Sequence, residues 1–142
     1  MVDRLTPAER SAHMARIRRS NTKPELIVRK LLHRLGYRFR IQLQGVPGRP
    51  DIAFPGRRKV IYVHGCFWHA HENCPISRIP KSRTEFWQKK FAANRERDLR
   101  LEALARKAGW SCLVVWECEL KHEEELSRRL KAHLGPTRID GD

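Results

Sequence analysis

Apolar residues recur at three- and four-residue intervals through Ile27, Val28, Leu31, Leu32 and Leu35, the spacing that lines one face of an α-helix. Thr22-Lys-Pro-Glu25 just ahead has capping-box form with proline in the first turn, and Gly36 closes the run, so the pattern predicts a helix over 23–35. The period then drops to two. Tyr37, Phe39, Ile41 and Leu43 alternate with polar residues, as in a half-buried strand, and a Gly- and Pro-containing loop over 45–50 leads to a short apolar run over 51–54. Pro55-Gly56 turns the chain into Val60, Ile61, Tyr62 and Val63, a β-rich run suited to burial on both faces. Three such strands in succession predict a meander.

From 65 to 81 the pattern breaks into Gly, His, Cys, Asn and Pro, a stretch long enough to need something other than a core to order it. Ser82-Arg-Thr-Glu85 then has the form of a second capping box, opening a long helix that carries Phe86, Trp87, Phe91, Leu99, Leu101, Leu104 and Ala105 and stops at Gly109. A strand over 110–117 and a helix over 123–134 complete the chain. This order predicts an α/β fold, a mixed sheet flanked by helices on both faces. With 142 residues the chain fits one domain, expected over 21–135, between an N-terminal arm over 1–20 and a tail over 136–142.

Charge narrows the function. Thirty Lys and Arg against 16 Asp and Glu leave a formal +14, a balance that attracts polyanions and makes nucleic acid the leading partner. A membrane is the rival polyanion, but there is no 18-residue apolar run and no signal-peptide pattern, so an intracellular, cytoplasmic protein is expected. Basic residues concentrate in two places. The arm carries Arg4, Arg10, Arg16, Arg18 and Arg19 against Asp3 and Glu9. The second concentration, Arg78, Lys81, Arg83, Lys89, Lys90, Arg95, Arg97 and Arg100, is interleaved with Phe86 and Trp87, as on a phosphate-contacting face.

Four cysteines could pair as two disulfides in an exported chain, but their spacing suits a metal better. Cys66-x4-His71-x2-Cys74 places three zinc-competent ligands within nine residues, and Cys118 can return from the end of the last strand as the fourth. Such a Cys3His set is closed to water, so a Zn2+ there is structural. Cys112, six residues before Cys118, lies roughly 20 Å from it in an extended chain and reads as a small core residue.

Gly48-Arg-Pro-Asp51 delivers a carboxylate at the start of a strand, and Asp51 is the first choice to hold Mg2+ for phosphodiester hydrolysis. A Pro-Asp turn alone is more often only a turn. The adjoining strand ends in His64, with His69 five residues on, and both are candidates for moving a proton, or else are loop histidines or spare zinc ligands. Glu25 and Asp98 are further candidate acids, or a cap and an arginine partner. Phe67-Trp68 either packs under the loop or wedges between base steps.

Gly48-Arg-Pro-Asp51, His64-Gly-Cys-Phe-Trp-His69, Arg83-Thr-Glu-Phe-Trp87 and Trp116-Glu-Cys118, in that order, resemble the very short patch repair (Vsr) mismatch endonucleases. The resemblance implies a restriction-endonuclease-like fold and an enzyme that nicks one strand 5′ to the thymine of a T:G mispair. It makes Asp51, with the Val63 backbone carbonyl, the Mg2+ site, and His64 and His69 the groups that polarise water or leaving group. Asp98 would support His69, with Glu25 as an auxiliary acid. Cys66, His71, Cys74 and Cys118 become the Zn2+ set. Phe67, Trp68 and Trp87 would enter the duplex, and Met14 on the arm would approach from the other groove, with Arg16, Arg19, Lys89 and Lys90 on phosphates. The implied partner is double-stranded DNA containing a mismatch, with other repair proteins as further partners, and nicking needs only a monomer. The competing readings are a non-catalytic zinc-stabilised DNA-binding module and a nuclease of the same fold with relaxed mismatch or damage specificity.

Overall fold

The computed structural model describes residues 22–66, 69, 71–72, 74 and 81–137. Helix α1 spans Lys23–Arg34. Thr22 caps it as the spacing predicts, its hydroxyl accepting from the Glu25 N–H at 3.4 Å. Strands β1 (Arg40–Ile41), β2 (Ile52–Phe54) and β3 (Lys59–His64) follow, then the long helix α2 (Thr84–Lys107), strand β4 (Ser111–Trp116), a 3-10 segment (Glu117–Lys121) and helix α3 (Glu123–Leu134).

The sheet runs β1-β2-β3-β4. The first three strands form the expected antiparallel meander, and β4 joins β3 in parallel after the α2 crossover, pairing Val60 with Cys112 and His64 with Trp116. The fold is therefore α/β with a mixed sheet. Period-two alternation sends odd and even positions of β3 to opposite sides. Ile61 and Val63 join Ile52, Phe54 and Val115 in a core against α1 (Val28, Leu31, Leu32) and α3 (Leu126, Leu130, Leu134). Val60 and Tyr62 join Ala53, Ala105 of α2 and Trp110 on the other side, with Cys112 and Val114 packed against them. None of the described helices is long and apolar enough to cross a membrane.

Two local expectations change. The alternation over 37–43 predicts a longer strand than the two-residue β1. Tyr37 turns inward at 2% exposure, but Ile41 is 44% exposed and Gln42 adopts φ 48°, a left-handed backbone that ends the pairing. The second capping box does not form. Arg83, at φ 57°, is the N-cap of α2 without a side-chain bond, and the Thr84 hydroxyl instead donates to the Lys81 carbonyl at 3.1 Å. Met14, Arg16, Arg19, Phe67 and Trp68 lie outside the described residues.

Candidate active site and metal centre

The loop that presents Asp51 is seated by its glycine. Gly48 has φ +92°, its carbonyl accepts from the Tyr62 hydroxyl at 2.9 Å, and a Cβ there would run into the Leu101 carbonyl and that hydroxyl. Two residues past Arg49, itself at φ 49°, the Asp51 carboxylate accepts from the Val63 N–H at 2.7 Å. Burial pushes the Asp51 carboxyl up to about 7; the Val63 bond opposes this, Glu25 and Asp98 add to it, and Arg29 relieves it. Glu25 is itself buried, with the Thr22 hydroxyl donating to one carboxylate oxygen at 3.3 Å and Arg29 to the other at 3.0 Å. Asp51 and Glu25, 26 positions apart in sequence, thus share one electrostatic neighbourhood with Asp98.

His64 ends β3 on the α2 side of the sheet. Its ring stacks on His69, with centroids 4.0 Å apart and planes 2° from parallel. His69 Nδ1 is hydrogen-bonded to the Asp98 carboxylate, which reaches in from the middle of α2. A carboxylate at Nδ1 keeps the proton there and leaves Nε2 for chemistry. His64 is 6% exposed, and its Nδ1 has no hydrogen-bond partner among the described residues. Burial, with the neighbouring His69 second and Arg97 a smaller contribution, lowers its pKa to about 4 against a raising effect of Asp98, so it is neutral at neutral pH. These rings and Asp98 line a cavity of about 520 Å3 that also touches Trp116, Glu102, Glu72 and Arg95.

The expected Zn2+ ligands also come together. The Sγ atoms of Cys66, Cys74 and Cys118 and one nitrogen of His71 lie within 4.8 Å of one another. His71 Nδ1 is 3.6 Å from Cys66 Sγ and 3.5 Å from Cys118 Sγ. Tetrahedral bonds of about 2.0–2.3 Å would separate such ligands by about 3.5 Å, so the donor set and its spacing fit zinc. Burial pushes the Cys66 thiol up to about 12 and raises Cys118 too, a state that a bound cation would reverse by stabilising thiolates. Cys112 stays outside, its Sγ 3.8 Å from the Glu102 carbonyl and packed in the second core layer.

Of the expected DNA-contact residues, Trp87 packs against Phe91 at 5.7 Å, while Lys89 and Lys90 are exposed and Lys89 lies 3.8 Å from Glu85. The structure adds three residues to the site. Arg29 is paired with Glu25 one turn away, a relation visible in sequence as an i,i+4 acid and base. Glu102 is buried four residues past Asp98, and burial raises its carboxyl. Trp116 stacks on His71 at 4.0 Å and stands across from His64 at 5.2 Å. Only the parallel register of β3 and β4 brings it there.

Residues 2–75 match the family model for the DNA mismatch endonuclease Vsr. The DNA mismatch endonuclease Vsr of Escherichia coli K12 is 42% identical over 127 residues, 89% of this chain and 81% of its own length. This chain belongs to the Vsr family. Two other Vsr-like relatives extend the match almost to full length. The type II nicking enzyme V.XorIIP of Xanthomonas oryzae pv. oryzae is 50% identical over 96% of this chain and all of its own. V.NmeAIP of Neisseria meningitidis, also a type II nicking enzyme, is 42% identical over 92% of each. The mixed sheet is accordingly the restriction-endonuclease-like fold of the Vsr family.

Proposed function

We propose that this chain is a Mg2+-dependent endonuclease that nicks one strand of duplex DNA 5′ to the thymine of a T:G mispair and so starts very short patch repair. The observation that carries the reading is the Asp51 carboxylate on the Val63 N–H, one residue before His64 of the His64, His69 and Asp98 group and near enough to Asp98 to be raised by it, in a family of DNA mismatch endonucleases. A buried carboxylate raised to about 7, with Glu25 and Asp98 near it, is an oxygen-rich site short of positive charge and fits a hard divalent cation. Asp51 and the Val63 carbonyl would hold Mg2+, which when bound neutralises phosphate charge and positions the attacking water.

The protein's own groups do the rest. His69, with Asp98 holding its Nδ1, moves a proton at Nε2, and neutral His64 accepts a hydrogen bond beside it. Glu25, neutralised in part by Arg29, keeps Asp51 company without a second bare charge. Cys66, His71, Cys74 and Cys118 hold Zn2+ and so fix the loop that carries His69. Lys89 and Lys90 meet phosphates with Arg16 and Arg19 of the arm, while Trp87, Phe67, Trp68 and Met14 approach the mispair. The enzyme works as a monomer on cytoplasmic DNA.

The test is cleavage of end-labelled duplexes, one with a T:G mispair and one matched, with zinc-loaded protein and with Mg2+ added or omitted. A Mg2+-dependent nick on the thymine strand alone, 5′ to the mispaired base, is expected. Equal nicking of the matched duplex would replace mismatch specificity with a general nicking activity, and binding without a nick would leave only a DNA-binding module.

A further inference from the structure

His64 and His69 are stacked but held differently. Asp98 anchors His69 through Nδ1, whereas His64 Nδ1 has no polar partner among the described residues, so the orientation of the His64 ring rests on the rings around it. One of those is Trp116. The parallel register sets it beside His64, and the alternation that places Cys112 and Val114 on the α2 side places Trp116 there too. Its indole lies 5.2 Å from the His64 ring at 78°, and 6.4 Å from His69 at 77°. The backbone beneath is tied down, because the Trp116 N–H donates to Glu119 Oε1 at 3.0 Å. The indole also packs against His71, whose ring lies nearly parallel to it, 10° off at 4.0 Å. His69, His64, Trp116 and His71 therefore form one continuous run of rings from the proton-moving pair to the cysteine cluster.

We propose that Trp116 is a positioning residue for His64, and that His71 clamps it there, so that a histidine in the metal set does a second job that a cysteine could not. This rests on the reading of the loop as zinc-bound and of His64 as part of the nicking site. The His71 ring, whose Nδ1 faces Cys66 and Cys118 and would be fixed by a zinc held there, fixes the indole, and the indole fixes an imidazole whose Nδ1 has no polar partner among the described residues. A thiolate in place of His71 would satisfy the metal and offer no face to stack on.

The experiment uses full-length, zinc-loaded protein with His71→Cys, Trp116→Leu and Trp116→Phe. Bound zinc is counted with a chromogenic chelator, nicking is followed in single turnover at saturating mismatched DNA, and the histidine ring signals and the NOEs between the His64 and His69 rings are recorded by NMR. His71→Cys should keep one zinc and its DNA affinity, lose roughly tenfold or more in nicking rate because a ring misplaced by about 1 Å is enough to do so, and show moved His64 ring signals. Trp116→Leu should do the same, and Trp116→Phe should recover most of the rate. A zinc-loaded His71→Cys that nicks like the wild type with unmoved His64 signals overturns the proposal. If His71→Cys does not hold zinc, Trp116→Leu decides on the nicking rate and on the NOEs between the His64 and His69 rings. Should the wild type nick no DNA, the nuclease reading falls, and the NOEs between the His64 and His69 rings in Trp116→Leu still test the positioning, their retention overturning it.

Discussion

The two faces of the sheet are built on opposite terms. Against α1 and α3 lies a dry core in which Val28, Leu32, Ile52, Ile61, Val115 and Leu130 are completely buried. Against α2 the layer starts the same way, with Val60, Ala53 and Ala105, but toward the C-terminal end of β3 it turns to Tyr62, Glu102, His64 and Asp98. Burial there works against the groups it covers: Asp51 and Glu102 are pushed up and His64 down. The first face holds the domain together. The second takes up part of that stability in groups kept away from their preferred charge state, which is what the proposed cation and phosphodiester site would need.

The comparison can be broken in four places, in falling order of effect. His69→Ala removes the imidazole that has the Asp98 carboxylate behind it, and single-turnover nicking should fall by about 10²–10⁴-fold with mismatch affinity kept. Asp98→Asn should lose less, since the ring remains. If both variants nick at the wild-type rate, the α2 face is not the chemical one. Leu130→Ala hollows the opposite face and should cost about 2–5 kcal/mol in urea unfolding, with the nicking rate of the folded fraction unchanged. Arg95→Ala removes the 2.6 Å pair with Glu72 at the rim of the cavity. Both partners are half or more exposed, so unfolding should move by less than about 1 kcal/mol, and a larger loss would mean the rim is structural.

The dry face was legible because its information is local. The spacing of Val28, Leu31 and Leu32 and of Leu126, Leu130 and Leu134 states which side of each helix is buried, and the β-rich run at Val60 to Val63 needs two covered faces to make sense. The clustering of Cys66, His71, Cys74 and Cys118 was legible for the same reason, three of the four falling within nine residues. The misread places are those where backbone conformation competes with side-chain pattern. Gln42 and Arg83 both adopt left-handed φ, which alternation and capping motifs do not announce. The grouping of Asp51 with Glu25, and of Trp116 with His64 and His71, depends on tertiary packing and on the parallel register, so no window of sequence contains it. The motif resemblance supplied the expected roles of Asp98 and Glu25; composition and spacing alone left them open between candidate acids and a cap and an arginine partner.

The most direct test of the central claim is unfolding of Asp51→Asn beside wild type, zinc-loaded and without Mg2+, from pH 4 to 8, with the nicking of both proteins measured separately with Mg2+ added. In the wild type the folded Asp51 pKa of about 7 lies above its ordinary 3.8, so the folded state holds the proton more tightly and stability falls as pH rises between those values. His64 runs the other way, its folded value of about 4 lying below 6.5, so stability falls as pH drops through that range. The account predicts that Asp51→Asn nicks no DNA yet is the more stable protein at pH 7 to 8, by a few kcal/mol as an order of magnitude. Its advantage should shrink to nothing near pH 4, with the upward slope due to His64 left showing. A variant that is less stable than wild type at pH 8, or that still nicks, would contradict it.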